Sequence, residues 1–240
     1  MTTTRIVFTL GLLGAWLTIS LPAASASHLA VLDLKHILES FRRIHGLSMH
    51  FTCQKKLSVL KRPFVSSGSI AMIQPDRVRF TTRWPYRSCF ILHGNRVYMR
   101  TQNNRRWHVG KGSRQQVVQQ IMQQFAGWSL GHAEDISGAY HVQKNASRVV
   151  VRPPPHAPRA QSQLQQRPFP HTLQLFTLIP KSRTVRRAVG AIELGFSGRH
   201  PQLRYIKMQL VHGNNSCYWL TDIQINPHFP PDEFQPKGPP

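Results

Sequence analysis

Ser66-Ser67-Gly68-Ser69-Ile70-Ala71-Met72-Ile73-Gln74-Pro75-Asp76-Arg77-Val78-Arg79-Phe80 decides the fold. It reads as two antiparallel strands joined at Gln74-Pro75-Asp76-Arg77. Pro presets φ for a turn, and Asp can bond the backbone ahead of it. Ile70 and Met72 share a face of the first strand. In the second, Val78, Phe80, Thr82 and Trp84 fall on one face, and Arg77, Arg79, Thr81 and Arg83 on the other. A period of two with one apolar and one cationic side is a strand pattern, and the apolar side must be covered.

The flanking stretches supply the cover. Leu34, Ile37, Leu38, Phe41 and Ile44 recur at three-or-four spacing over residues 28–45, an amphipathic helix that Gly46 can stop. Ser113 to Phe125 predicts a second helix, with Ser113 as N-cap and a stripe of Val117, Val118, Ile121, Met122 and Phe125. Between them, Leu47 to Gln54 alternates as a strand, with Phe51 on its apolar side. Tyr86 to Leu92 and Arg96 to Thr101 make two more, and Thr101 to Gly112 reads as a polar, basic loop. A strand is expected over 137–143, and further strands at 171–179, 188–196, 203–211 and 217–226.

Residues 145–170 carry six prolines and few apolar side chains, the composition of an extended or disordered insert. Residues 227–240, also Pro-rich, read as a strap or a loose tail. The layout is α+β: one strongly curved antiparallel sheet, a half-barrel, with amphipathic helices on its concave apolar face.

Residues 1–26 have the plan of a secretory signal. Arg5 is the positive start, an apolar run follows to Leu21, and Ala24-Ser25-Ala26 is a small-x-small cleavage pattern. The chain that follows is expected to be exported, as one domain over 27–234 and a short tail over 235–240. Export to an oxidising compartment permits one disulfide among Cys53, Cys89 and Cys217; three small buried hydrophobes is the other reading.

The chain is strongly basic, 31 Lys and Arg against 9 Asp and Glu, a net +22. The arginines are spread rather than clustered with stacking aromatics, so nucleic acid is not the expected partner. A cationic face suits anionic lipid or glycolipid surfaces; a chain poor in carboxylates also suits an acidic exterior. No catalytic motif, metal-ligand spacing or cofactor fingerprint stands out, and no enzymatic activity is expected. Gly110-Lys111-Gly112-Ser113 could hold an anion before a helix but lacks the full phosphate-loop spacing.

In order and spacing the chain resembles the LolA-like family of periplasmic outer-membrane lipoprotein carriers. Asp33-Leu34-Lys35 to Leu38 with Phe51-Thr52-Cys53-Gln54 resembles the family's opening helix and first strand. Gly68-Ser69-Ile70 to Phe80 resembles its hairpin. Pro85 with Ile91 to Tyr98 resembles the next segment, and Leu220-Thr221-Asp222-Ile223, Asn226 and Phe234 its closing strand and tail. The resemblance implies an open half-barrel, lidded by helices, whose cavity takes the acyl chains of a lipoprotein. It also implies an inner-membrane release complex, an outer-membrane acceptor, transient contact with membranes, and a monomer.

The lid would be lined by Leu34, Ile37, Leu38 and Phe41, and the sheet by Phe51, Ile70, Met72, Val78, Phe80 and Trp84. Each of these positions equally suits an ordinary core. The family's proteobacterial carriers place an Arg, bonded to the lid, just before the hairpin Pro. Here that position is Gln74, with Arg77 and Arg79 nearby. The departure leaves room for a different acylated or glycolipid cargo. The rival expectation is an exported sensor or protein-binding half-barrel whose interior is filled by its own side chains.

Overall fold

The computed structural model describes residues 23–110, 122–123, 125–130, 136–145, 149–150, 154, 172–197 and 201–236. Helix α1 (Ala23–Glu39) leads into six consecutive antiparallel strands. These are β1 (Gly46–Lys56), β2 (Phe64–Ile73), β3 (Arg77–Trp84), β4 (Ser88–His93), β5 (Arg96–Thr101) and β6 (Asn104–Val109). A short helix (Ile136–Ala139) precedes β7 (Tyr140–Lys144) and β8 (Val149–Val150). The chain then runs through β9 (Thr172–Pro180), β10 (Val189–Ser197), β11 (Leu203–Leu210) and β12 (Asn215–Ile225).

All twelve strands join in one sheet of order β6-β5-β4-β3-β2-β1-β12-β11-β10-β9-β7, with β8 beside β9. Among the described residues the ends β6 and β7 are not paired with each other, so the sheet is open. Twisted open sheets beyond about ten strands must curl or split. This one keeps a single face gathered in one apolar cluster from β7 to β5, which a curled sheet achieves.

The decisive hairpin forms as its alternation requires. Met72 pairs with Val78 and Ile70 with Phe80, on the face that Met49 and Phe51 share. Leu34 and Leu38 of α1 are fully buried in the same cluster, and Phe41 packs its ring 6.2 Å from that of Phe196. Lys144 Nζ donates to Asp33 Oδ2 at 2.6 Å, tying α1 to β7. The second expected helix falls mostly outside the described residues, although residues 125–129 are helical.

Three expectations change. Asn104-Arg105-Arg106-Trp107-His108-Val109, read as loop, is the edge strand β6; charged side chains are what a sheet edge tolerates best. The strand expected over 137–143 begins only at Tyr140, after a helical turn. Trp84 leaves the apolar face. Gly68 pairs with Thr82 but Ser67 with Trp84, so Arg83 is an extra residue in β3. That bulge reverses the alternation and turns Trp84 outward, 37% exposed.

The three cysteines are free. Cys53 points into the main core, whereas Cys217 packs with Tyr205 and Trp219 on the opposite face, and Cys89 lies on β4, three strands from β1 and four from β12. Side chains on opposite faces or separated strands cannot meet the geometry of a disulfide. The leader expected over 1–26 and the insert over 145–170 lie mostly outside the described residues. Within the tail, residues 227–236 form a strap: Phe234 is buried, its ring 5.3 Å from Phe229, and Arg79 Nη1 donates to the Glu233 carbonyl at 2.8 Å. No described helix is long and apolar enough to cross a membrane.

Candidate functional site

β1 and β12 are the longest strands and form the centre of the sheet. One irregularity shapes their lower end. The register moves from Ser48–Gln224 to His50–Thr221, which leaves an extra residue in β12. Asp222 takes it up at φ 49°, a left-handed conformation that Asp tolerates better than most residues, and its Oδ2 meets His50 Nδ1 at 3.2 Å. Past the strand end, Asn226 also turns left-handed at φ 50°. Its Oδ1 accepts from the His45 amide at 2.7 Å and the Gly46 amide at 3.1 Å, and its Nδ2 donates to the Arg43 carbonyl at 3.2 Å. The closing strand thus holds the chain that leaves α1.

Between that chain and the ends of β1, β11 and β12 lies a pocket of ≈ 250 Å³. Phe41, Ile44, Leu47, Met49, Leu203, Ile223 and Ile225 give it apolar walls, and Ser40, Gln202 and Ser129 contribute hydroxyl and amide groups. Ser129 Oγ is buried with no hydrogen-bond partner. A buried hydroxyl in that state wants an acceptor, and its desolvation costs about 1–3 kcal/mol until it finds one.

Gln74 closes the arrangement. Its Nε2 donates to the Ile44 carbonyl at 3.0 Å and reaches the Leu130 carbonyl at 3.5 Å. Gln74 therefore joins the hairpin to two carbonyls beside the pocket. It does so with a neutral amide, whose bond is weaker than a charged one.

Of the residues expected to line a cavity, only Phe41 reaches this pocket. Leu34, Leu38, Ile70 and Met72 are fully buried beyond it, Phe51 and Val78 nearly so, and Ile37 and Phe80 pack against the same cluster. Phe51 and Phe80 lie 4.5 Å apart across β2, tilted by 31°, where Gly68 has no side chain to separate them, and Tyr218 meets Phe80 edge-on and Phe51 at a tilt. Ile44, Leu47 and Met49 were visible in sequence as apolar alternation or stripe. Leu203, Ile223 and Ser129 come from distant segments, and no local pattern marks them as neighbours.

Burial pushes the Cys53 thiol up to about 11, with Lys55 opposing, and holds the Tyr218 hydroxyl well above its ordinary value. Both stay protonated at neutral pH, so Cys53 is an apolar core group and not a thiolate nucleophile. Among the described residues no three His, Cys, Asp or Glu side chains come together in a way that could hold a metal ion.

An open curved antiparallel sheet holding an apolar face beneath a helix is the class of structure reached here. Solved structures of similar fold include three instructive ones. A DUF1329 family protein from Desulfovibrio piger matches at 8% identity and TM-score 0.48, over 88% of this chain and 97% of that one. The Mycobacterium tuberculosis lipoprotein LppX matches at 10% identity and TM-score 0.47, over 84% and 98%. A LolA superfamily protein from Nitrosomonas europaea matches at 10% identity and TM-score 0.43, over 85% and 97%. No family model matches the chain, nor does any curated protein.

Proposed function

We propose that this protein is a periplasmic carrier without enzymatic activity. It shields the acyl chains of lipoproteins, or of a related acylated or glycolipid cargo, in the apolar space between α1 and the sheet. It passes them from an inner-membrane release complex to an outer-membrane acceptor. The observation that carries this reading is the apolar pocket that continues the buried face of the sheet out to its lower end. Each methylene removed from water there is worth about 0.8 kcal/mol, so even part of one chain is held usefully.

The pocket's ≈ 250 Å³ lies just under the range of about 300–1,000 Å³ typical of ligand sites, so several chains require α1 and the 125–130 segment to move away from the sheet. The neutral Gln74 clasp suits a lid that must open. Ser129 Oγ offers a donor for an ester carbonyl at the head of a chain.

A second reading is favoured by the complete burial of Leu34, Leu38, Ile70 and Met72. A core so filled suits a half-barrel that binds a partner protein and no lipid. Native mass spectrometry of protein gently purified from a periplasmic extract separates the two. The carrier reading expects a co-purifying acylated species that disappears in Ile225→Asp, a half-exposed pocket residue whose replacement leaves the deep core intact. An empty protein that also refuses added lipopeptide overturns it in favour of the protein-binding module.

A further inference from the structure

The sheet has two unlike ends. The pocket and the Gln74 turn lie at one. The other carries the β1–β2, β3–β4 and β9–β10 connections, since Lys55 pairs with Phe64, Ser67 with Trp84, and Val189 with Leu210. The segments 55–63, 83–88 and 181–188 there contain ten Lys and Arg and no Asp or Glu. Apolar tips project among them: Val59 is 86% exposed, Tyr86 68%, Leu60 45% and Trp84 37%. The Arg83 bulge that expels Trp84 from the core is what brings it to this edge. The two tips are two strands apart, on the order of 10 Å, so one flat surface meets both.

Beside them on the outer face is a second cavity of ≈ 420 Å³, lined by Ser69, Arg79, Thr81, Thr82, Arg83, Arg87 and Glu233. Arg79 is engaged by Glu233, with Nε 3.8 Å from its Oε1 and Nη1 bonded to its carbonyl. Arg83 and Arg87 are exposed and border the cleft with the hydroxyls of Ser69 and Thr81.

We propose that this end of the sheet docks on an anionic phospholipid membrane, with Val59, Leu60, Trp84 and Tyr86 entering the interface and the Arg83–Arg87 cleft receiving a lipid phosphate. Tyr and Trp with one apolar and one polar end settle at the headgroup level, and basic residues beside them are drawn to anionic leaflets. Guanidinium groups match the geometry of a phosphate. The proposal deepens the carrier reading by saying which end faces the bilayer, so that the pocket at the far end stays clear of it. It rests on separate residues and can fail separately.

The test is co-sedimentation of the exported protein with vesicles of phosphatidylcholine alone or mixed with phosphatidylglycerol. Binding is expected only to the mixed vesicles. The double variant Val59→Asp, Tyr86→Asp and the double variant Arg83→Glu, Arg87→Glu should each weaken it by more than about tenfold, since one basic residue near the surface is worth about fivefold. The control Arg77→Glu, Arg96→Glu makes the same charge change at exposed positions of the pocket end and should stay within about threefold of the parent. Absence of binding to mixed vesicles overturns the proposal, as does equal loss in the control, which would mean diffuse charge attraction. An acidic protein partner would give the first of these. Acyl occupancy of the same variants by native mass spectrometry reports the carrier reading independently.

Discussion

Gly68 is the position where a single methyl group should do most damage. An added Cβ would fall inside the van der Waals shell of the Thr81 carbonyl oxygen and 2.9 Å from Cε1 of Phe51. The carbonyl belongs to the neighbouring strand at the Gly68–Thr82 and Ser69–Thr81 pairings, so it moves only if the β2–β3 ladder opens. Phe51 yields only by leaving its 4.5 Å contact with Phe80.

Overpacking of this kind costs about 1–3 kcal/mol. A disturbed ladder bond adds about 1 kcal/mol and a lost ring contact about 0.5–1.5 kcal/mol. Gly68→Ala should therefore destabilise the protein by about 3–5 kcal/mol, a large share of the roughly 5–15 kcal/mol typical of a domain. Urea unfolding followed by far-UV circular dichroism measures it. Gly190→Ala is the comparison, because its nearest neighbour, the Gln209 carbonyl oxygen, is 3.7 Å away. That variant should stay within about 1 kcal/mol of the parent. If Gly68→Ala unfolds at the same urea concentration as Gly190→Ala, the close approach is not real and the account of the aromatic floor fails with it.

Gln74→Ala should remove the clasp between hairpin and pocket at a cost of about 1 kcal/mol and speed the uptake of a fluorescent fatty acid; unchanged uptake kinetics would deny the side chain a gating role. Because Cys53 is raised from 9.0 to about 11, the folded state holds its proton more tightly than the unfolded one. Stability from this group is therefore complete below pH 9 and is lost as pH rises toward 11, by up to about 3 kcal/mol. Urea midpoints across that window should fall less steeply for Cys53→Ala than for the parent, and parallel curves would contradict the assignment.

The hairpin and the strands around it were legible because their alternation is clean and each faces the core on one side. Trp84 was not, because a one-residue bulge at Arg83 inverts the pattern without changing the residues that make it. β6 was hidden by its own chemistry: an edge strand that must discourage further pairing is written in arginine and asparagine, which resemble a loop. Of the lining residues that the resemblance named, Leu34, Leu38, Ile70 and Met72 lie deep in the core, Phe41 reaches the pocket and Trp84 turns outward. The pocket itself lies at the strand ends, where Leu203 and Ile223 meet Phe41 across long stretches of chain. Gln74, a departure from the expected arginine, still makes a bond to the chain beside the pocket, because the direction of the side chain and not its charge is what the two carbonyls require.

The strand order also dictates how the molecule can assemble. β1 to β6 is a run of consecutive hairpins, and β12 back to β9 is another, to which β7 and β8 both add along β9. Among the described strands, the ladder that joins the two halves is the one between β1 and β12, with partners such as His50 and Asp222 that are 172 residues apart. Contacts of such long range form late, since the loop must be closed before they repay its entropy. A nascent chain thus carries β1, one of its two longest strands, with one side unpaired until β12, the last strand, has emerged. Anything that escorts this protein before it is finished, or attacks it, should meet that waiting edge of β1 first.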